Sequence, residues 1–161
     1  ARVWIRARGA QGPWSQVRAD ADGQIRAYVD EPCVDVVCFH PESRVLVERG
    51  LTTGATLALE RGATLRIRLV VAPTLNKSEL TVNVVPENDP VDGIQARDLS
   101  IRIDHLKVGE IREVCLPAVG GYRIDVLKSY EEARTVTWFA SPARIDATEP
   151  STDVVIEIAP R

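Results

Sequence analysis

Aromatic and arginine side chains are the strongest candidates for a binding site in this chain of 161 residues. Trp4 and Tyr28 each stand between aliphatic residues of an alternating stretch, so both rings are predicted to face away from their strands' apolar side. An exposed aromatic ring beside guanidinium groups can bind a sugar or a protein surface. The predicted ligand-binding residues are Trp4, Trp14, Tyr28, Arg6 and Arg26.

A structural role is the alternative explanation for these residues, and it is the one that we favour. Aromatic rings next to arginines also stack in place or pack against a neighbouring module without binding any ligand. Trp138 and Tyr130 are further aromatic candidates in the second half of the chain. The sequence predicts the residues of this cluster but leaves its role open between the two explanations.

The sequence Asp20-x-Asp22-Gly23 is similar to the start of a calcium-binding loop. Calcium needs six or more oxygen ligands, usually with a later acid that binds through both oxygens. The next acid downstream is Asp30, beyond Gln24 and Arg26. We therefore predict a tight hairpin turn, in which the glycine supplies the positive φ.

Cysteine and histidine are too few and too far apart to predict a metal site. On a strand, Cys33 and Cys38 point to opposite faces and lie about 16 Å apart along the strand axis. Cys38 and His40 share a face, but they supply two ligands where a structural zinc takes four. Three cysteines do not describe a disulfide framework, so these two and Cys115 are predicted to be small core residues. A disulfide from Cys115 to either of the others stays open.

Catalysis and cofactors are not predicted. His40 and His105 are the only histidines, and no nucleophile-elbow, zinc-protease, P-loop or dinucleotide motif is present. The adjacent acids Glu131 and Glu132 lie in a polar stretch and are predicted to face solvent. The chain is therefore interpreted as a protein without enzymatic activity.

Short alternating segments would have to position all of these side chains. In Leu57–Val71 apolar residues alternate with polar ones on both sides of Gly62, which predicts a strand, a turn and a longer strand. No window has a convincing helical period, although Ser129–Ala133 could form a helical turn. The predicted strands are Arg2–Gly9, Gln24–Val29, Cys33–His40, Arg44–Val47, Ala55–Leu59, Leu65–Val71, Leu80–Val84, Leu99–Ile103, Ile111–Leu116, Tyr122–Val126, Thr135–Phe139 and Asp153–Ile158.

The bulk composition fits a globular all-β protein. Hydrophobic residues are 45% and charged residues 27% of the chain, which are ordinary values. The net charge of −3 gives no reason to expect a nucleic-acid partner, and no apolar run is long enough to cross a bilayer. Short strands with turn residues between them predict a sandwich or a barrel.

Several of these stretches resemble the carboxypeptidase regulatory-like family, which has a transthyretin-like (prealbumin-like) β-sandwich fold. The resemblance rests on the Ala1–Ile5 strand, the Ala19–Arg26 hairpin, the Cys33–Cys38 strand and the Leu59–Leu69 stretch. A weaker second copy is similar over Leu116–Val126 but lacks the hairpin motif. The resemblance implies two tandem small antiparallel Greek-key modules, residues 1–61 and 62–161. It also implies that a first strand is missing ahead of Ala1.

Members of that family often occur in tandem in large bacterial secreted and surface proteins. The resemblance therefore implies a non-catalytic structural or protein-interaction role outside the cytoplasm. Its partners would be other domains of the same polypeptide or another protein. The alternative is a module that binds carbohydrate or another small ligand through the aromatic residues named above.

Overall fold

The computed structural model describes residues 1–71, 79–89, 91–127, 138–147 and 151–160. These residues are all-β, as predicted, with a single 3-10 turn at Ala96–Leu99 and no α-helix. Nothing helical within these ranges is long and apolar enough to cross a membrane.

Twelve strands form within the described residues, and most coincide with alternating segments of the sequence. Their bounds are β1 Arg2–Ala7, β2 Ser15–Arg18, β3 Val34–Phe39, β4 Leu46–Leu51, β5 Thr64–Val71, β6 Glu79–Pro86, β7 Ile101–Lys107, β8 Ile111–Cys115, β9 Gly120–Leu127, β10 Trp138–Ser141, β11 Arg144–Ala147 and β12 Ser151–Pro160.

The strands form three four-stranded sheets. The first sheet has the order β2-β1-β3-β4, the second β10-β12-β5-β8 and the third β11-β9-β6-β7. All neighbours are antiparallel except β5 and β12, which run parallel from the Thr64–Ser151 pair to the Val71–Ile158 pair. Residues 1–61 thus contribute one sheet, and the finer prediction of two tandem Greek-key modules is not confirmed.

The second and third sheets pack face to face around one apolar cluster. Leu65, Ile67 and Leu69 of β5 are fully buried and belong to the same cluster as Val82 and Val84 of β6. On β5 these three apolar residues alternate with exposed arginines. Because every second side chain of a strand points to the same face, all three point into the cluster. This part of the molecule has the packing of a β-sandwich.

Tyr122 closes one end of this sandwich at the start of β9. Its side chain is buried, and its hydroxyl accepts a hydrogen bond from the Ala118 amide at 3.1 Å while donating to the Ala118 carbonyl. A tyrosine hydroxyl that bonds a backbone group a few residues upstream is the tyrosine corner of many β-sandwiches. Burial raises the pKa of Tyr122 to about 12.

Both faces of the first sheet are covered, by different parts of the chain. Val3 and Ile5 of β1 form a small cluster with Val36 and Cys38 on one face. On the other face, three buried residues of the first sheet join the sandwich cluster: Trp4, Val37 and Phe39. That larger cluster therefore crosses the predicted boundary between residues 61 and 62.

Two predicted strands are wrong. Gln24–Val29 and Ala55–Leu59 lie outside every sheet, although both follow alternating patterns. The strand predicted at Arg44–Val47 is shifted to Leu46–Leu51 and contains Gly50 with φ +71°. The short strands β2 and β11 were not predicted. The predicted turn at Ser129–Ala133 and the beginning of Thr135–Phe139 lie outside the described residues.

Candidate functional site

Trp4 lies inside the protein and not on its surface. Its side chain is only 5% exposed, and it belongs to the cluster that the first sheet shares with the sandwich. On the neighbouring strand its cross-strand partner is Val37, which is fully buried. The prediction that Trp4 faces solvent is wrong, because a second layer covers the face that alternation assigned to water.

Trp14 reaches the same junction from the loop between β1 and β2. Its half-buried ring packs against the larger cluster, and Nε1 donates a 2.9 Å hydrogen bond to the Asp92 carbonyl. A Cβ atom at Gly93 would lie 3.2 Å from Trp14 Cδ1, so glycine lets this loop approach the indole closely. Trp14 therefore connects the first sheet to the loop that follows β6.

Arg6 stacks on the Trp14 ring at this junction. Its guanidinium carbon lies 4.2 Å from the centre of the Trp14 ring, which is a cation–π contact. Its Nε atom is buried and has no hydrogen-bond partner in the described part of the chain. The Arg6 side chain is half-buried, and a guanidinium tolerates such a weakly hydrated position better than an ammonium group does.

Asp35 is a buried charged residue beside this cluster that the sequence reasoning did not single out. It is the cross-strand partner of Arg6, is 6% exposed, and accepts a 3.2 Å hydrogen bond from the Gly50 amide through Oδ1. The one sequence signal for it is an acid within the otherwise apolar run of β3. Buried carboxylates usually fix local structure through such bonds.

Tyr28 and Arg26 lie apart from the tryptophan junction. Both are exposed, Tyr28 fully, within the segment between β2 and β3 that forms no strand. The structure therefore brings together three of the five predicted ligand-binding residues, Trp4, Arg6 and Trp14, and leaves the other two in solvent. No continuous aromatic surface forms from all five.

Backbone contacts complete the junction close to the predicted boundary. The Val45 amide donates to the Pro117 carbonyl at 2.7 Å, and the Leu116 amide donates to the Ala63 carbonyl at 2.8 Å. At Gly62 an added Cβ would lie 2.1 Å from the Leu116 carbonyl oxygen, so any other residue would force the backbone apart. The Val45 bond joins the residue before β4 to the corner before β9, whereas the Leu116 bond continues the β5–β8 pairing within the sandwich.

The cysteines behave as core residues. Cys38 and Cys115 are buried, Cys33 is half-buried, and all three thiols are free. Burial raises the pKa of the Cys38 thiol, which keeps it in its unreactive form. The described residues contain no group of three or more side chains arranged to hold a metal ion.

The predicted turn at Asp20–Gly23 is confirmed, but it is not part of a hairpin, because the segment that follows it forms no strand. Asp20 Oδ1 accepts hydrogen bonds from the amides of Asp22 at 3.0 Å and Gln24 at 2.8 Å, and Gly23 has φ +77°. The carboxylate is used within the turn, as in an Asx-turn. The interpretation as a turn and not a calcium loop therefore has a local structural explanation.

The fold and the junction define an all-β protein with sandwich packing. Comparison with protein-family models and with curated proteins finds no match for this chain. The resemblance to the carboxypeptidase regulatory-like family stays a prediction.

Proposed function

We propose that this chain is a non-catalytic structural unit of a larger protein, holding neighbouring domains or a protein partner at a fixed spacing. The observation that supports this most is the use of Trp4, Arg6 and Trp14 in the junction between the first sheet and the sandwich. The residues best suited to bind a ligand are engaged in contacts within the protein.

The junction has the properties of a fixed contact. Apolar side chains from both parts form one cluster, and the backbone hydrogen bond from Val45 to the Pro117 carbonyl adds a directional contact. Flexible modules joined by a linker have smaller and more polar contacts between them. The first sheet is therefore expected to keep its orientation on the sandwich.

The outer face of the second sheet offers a surface for a neighbouring domain or partner. Exposed Val155 and Ile111 stand opposite Arg68 on adjoining strands, and Val70 follows on the same strand as Arg68. Such a mixed aliphatic and cationic surface suits a protein contact better than a sugar, which prefers flat aromatic rings. By the resemblance described above, the parent protein would act outside the cytoplasm, on the bacterial surface or secreted.

Nitrogen-15 relaxation of the whole chain tests the fixed spacing. We expect amides of the first sheet and amides of the sandwich to report one rotational correlation time. Two clearly different correlation times would show that the parts tumble independently and would overturn the proposal.

A glycan array tests the competing carbohydrate function. We expect no binding, because Trp4 is buried and the Trp14 ring is stacked by Arg6. Micromolar binding that is lost in Trp14→Ala but kept in Tyr28→Ala would replace the structural proposal with ligand recognition at the junction. The second variant is a matched control, because Tyr28 is fully exposed and lies outside the junction.

A further inference from the structure

The first sheet has a cavity on the face opposite Trp4. Its volume is about 210 Å³, and its floor is formed by the strand residues Ile5, Val34 and Val36. The two segments that were wrongly predicted as strands also line the cavity, through residues that include Ile25 and Leu57. The cavity is therefore bounded by a rigid sheet below and by two unpaired segments above.

Aliphatic side chains and polar groups both line the cavity. Ile25, Ala27 and Val29 alternate into the cavity, whereas Arg26 and Tyr28 between them face solvent. Cavities of about 150 Å³ lined by aliphatic side chains bind molecules the size of benzene. A space of about 210 Å³ is therefore large enough for a short alkyl chain or a single ring.

Glu31 gives the cavity a charge preference. It is the one ionisable residue of the lining, it is exposed at the mouth, and it has no ion-pair partner within the described residues. The nearby hydroxyls of Thr52 and Thr53 can accept hydrogen bonds, and no basic side chain lines the space. An ammonium group at the mouth would meet a carboxylate and hydroxyl oxygens, whereas an anion would meet repulsion.

We propose that this cavity is a binding site for a small amphipathic cation, with its apolar part against Ile5 and Val36 and its ammonium group at Glu31. This inference is independent of the structural role proposed above, because it uses the opposite face of the first sheet. Its failure would leave the junction and the proposed role unchanged.

The test is an amide chemical-shift titration of the intact chain with three probes that differ only in their head group. The probes are n-hexylamine, n-hexanol and sodium hexanoate at neutral pH. We expect hexylammonium to bind saturably, with a Kd on the order of 1 mM. The shifts should concentrate in residues 25–36 and 51–57, with hexanol binding more weakly and hexanoate weakest.

Two variants test separately the charge of Glu31 and the volume of the cavity. Glu31→Gln should weaken hexylammonium about threefold, the size of an exposed ion pair, and remove its advantage over hexanol. Ala27→Leu adds volume to the lining and should weaken both probes about tenfold. Glu42→Gln and Ala21→Leu make the same chemical changes at exposed positions outside the lining, and they should leave binding unchanged.

The contradicting results are equally specific. No saturable shifts, or shifts centred outside the lining, would overturn the site. Equal affinity for the three probes, unaffected by Glu31→Gln, would overturn the preference for a cation. Binding of hexylammonium that survives Ala27→Leu would show that the probe sits elsewhere and would also overturn the proposal.

Discussion

The two faces of the first sheet are both covered, but in different ways. The Trp4 face is packed against a second β layer, with the Trp14 indole bonded to the Asp92 carbonyl and stacked on Arg6. The Ile5 face is covered by two segments without strand structure that leave a cavity of about 210 Å³. Alternate side chains of β1 therefore belong to two different environments. One set packs in the close-packed junction, and the other set lies on the loosely covered face.

This difference predicts where stability resides. Close-packed interiors lose both burial and contacts when a large side chain is removed, whereas a site beside an existing cavity has less to lose. The mutations below compare the two faces, and one position in the sandwich serves as a reference for a fully packed site.

The largest effect is expected for Trp4→Ala. The ring is 5% exposed within the cluster shared by both parts of the chain. Removing it should lower the free energy of unfolding by about 3–5 kcal/mol, measured by urea denaturation. A loss below about 1.5 kcal/mol would mean that the Trp4 face is not a packed junction.

Tyr122→Phe gives the reference for the sandwich. The variant leaves the Ala118 amide without its acceptor in a buried corner, so we expect a loss of about 1–3 kcal/mol at neutral pH. An unchanged free energy of unfolding would contradict the role of this hydroxyl.

The same residue predicts a dependence on alkaline pH. The pKa of Tyr122 is about 12 in the folded protein, above its ordinary value of 10.0. Between these values the unfolded chain releases the proton and the folded chain keeps it, so this group lowers stability as pH rises from about 10 to 12. Denaturation at a series of pH values should show a shallower decline in Tyr122→Phe than in the wild type. Parallel curves would contradict the raised pKa.

Trp14→Phe isolates the polar part of the junction. Phenylalanine keeps an aromatic face for Arg6 but removes the donor to the Asp92 carbonyl, so we expect a loss of about 1 kcal/mol. Tyr28→Phe is the control, because that ring is fully exposed and should tolerate the change. Equal effects in the two variants would mean that the Trp14 hydrogen bond contributes nothing specific.

The smallest effect is expected on the loosely covered face. Ile25→Ala removes a half-buried side chain at the wall of the cavity and should cost about 1 kcal/mol. Chemical denaturation measures it beside Trp4→Ala. A loss as large as that of Trp4→Ala would remove the contrast between the two faces.

The sequence predicted the direction of side chains better than it predicted the pairing of strands. In residues 24–29 it correctly assigned Ile25, Ala27 and Val29 to one side and Arg26 and Tyr28 to the other. It was wrong that this segment is a strand, because alternation reports which side is apolar and not whether a partner strand is present. The Asp20 turn was predictable because its hydrogen bonds are local.

The burial of Trp4 could not be predicted from alternation alone. When the second set of side chains includes arginines, a strand that is covered on both faces has the same alternating sequence as a strand with one solvent-exposed face. Arg6 stands in that set, and its guanidinium stacks on the Trp14 ring. The loop that brings Trp14 there depends on contacts with Asp92 and Gly93, which lie far away in the sequence.

Amide hydrogen exchange tests the central claim most directly, namely that the first sheet and the sandwich are one cooperative unit. We expect the most protected amides of β3, at Val37 and Phe39, to open with the same free energy as those of β5, at Leu65 and Ile67. An opening free energy for β3 that is lower by more than about 2 kcal/mol would contradict the claim, because the first sheet would then unfold on its own.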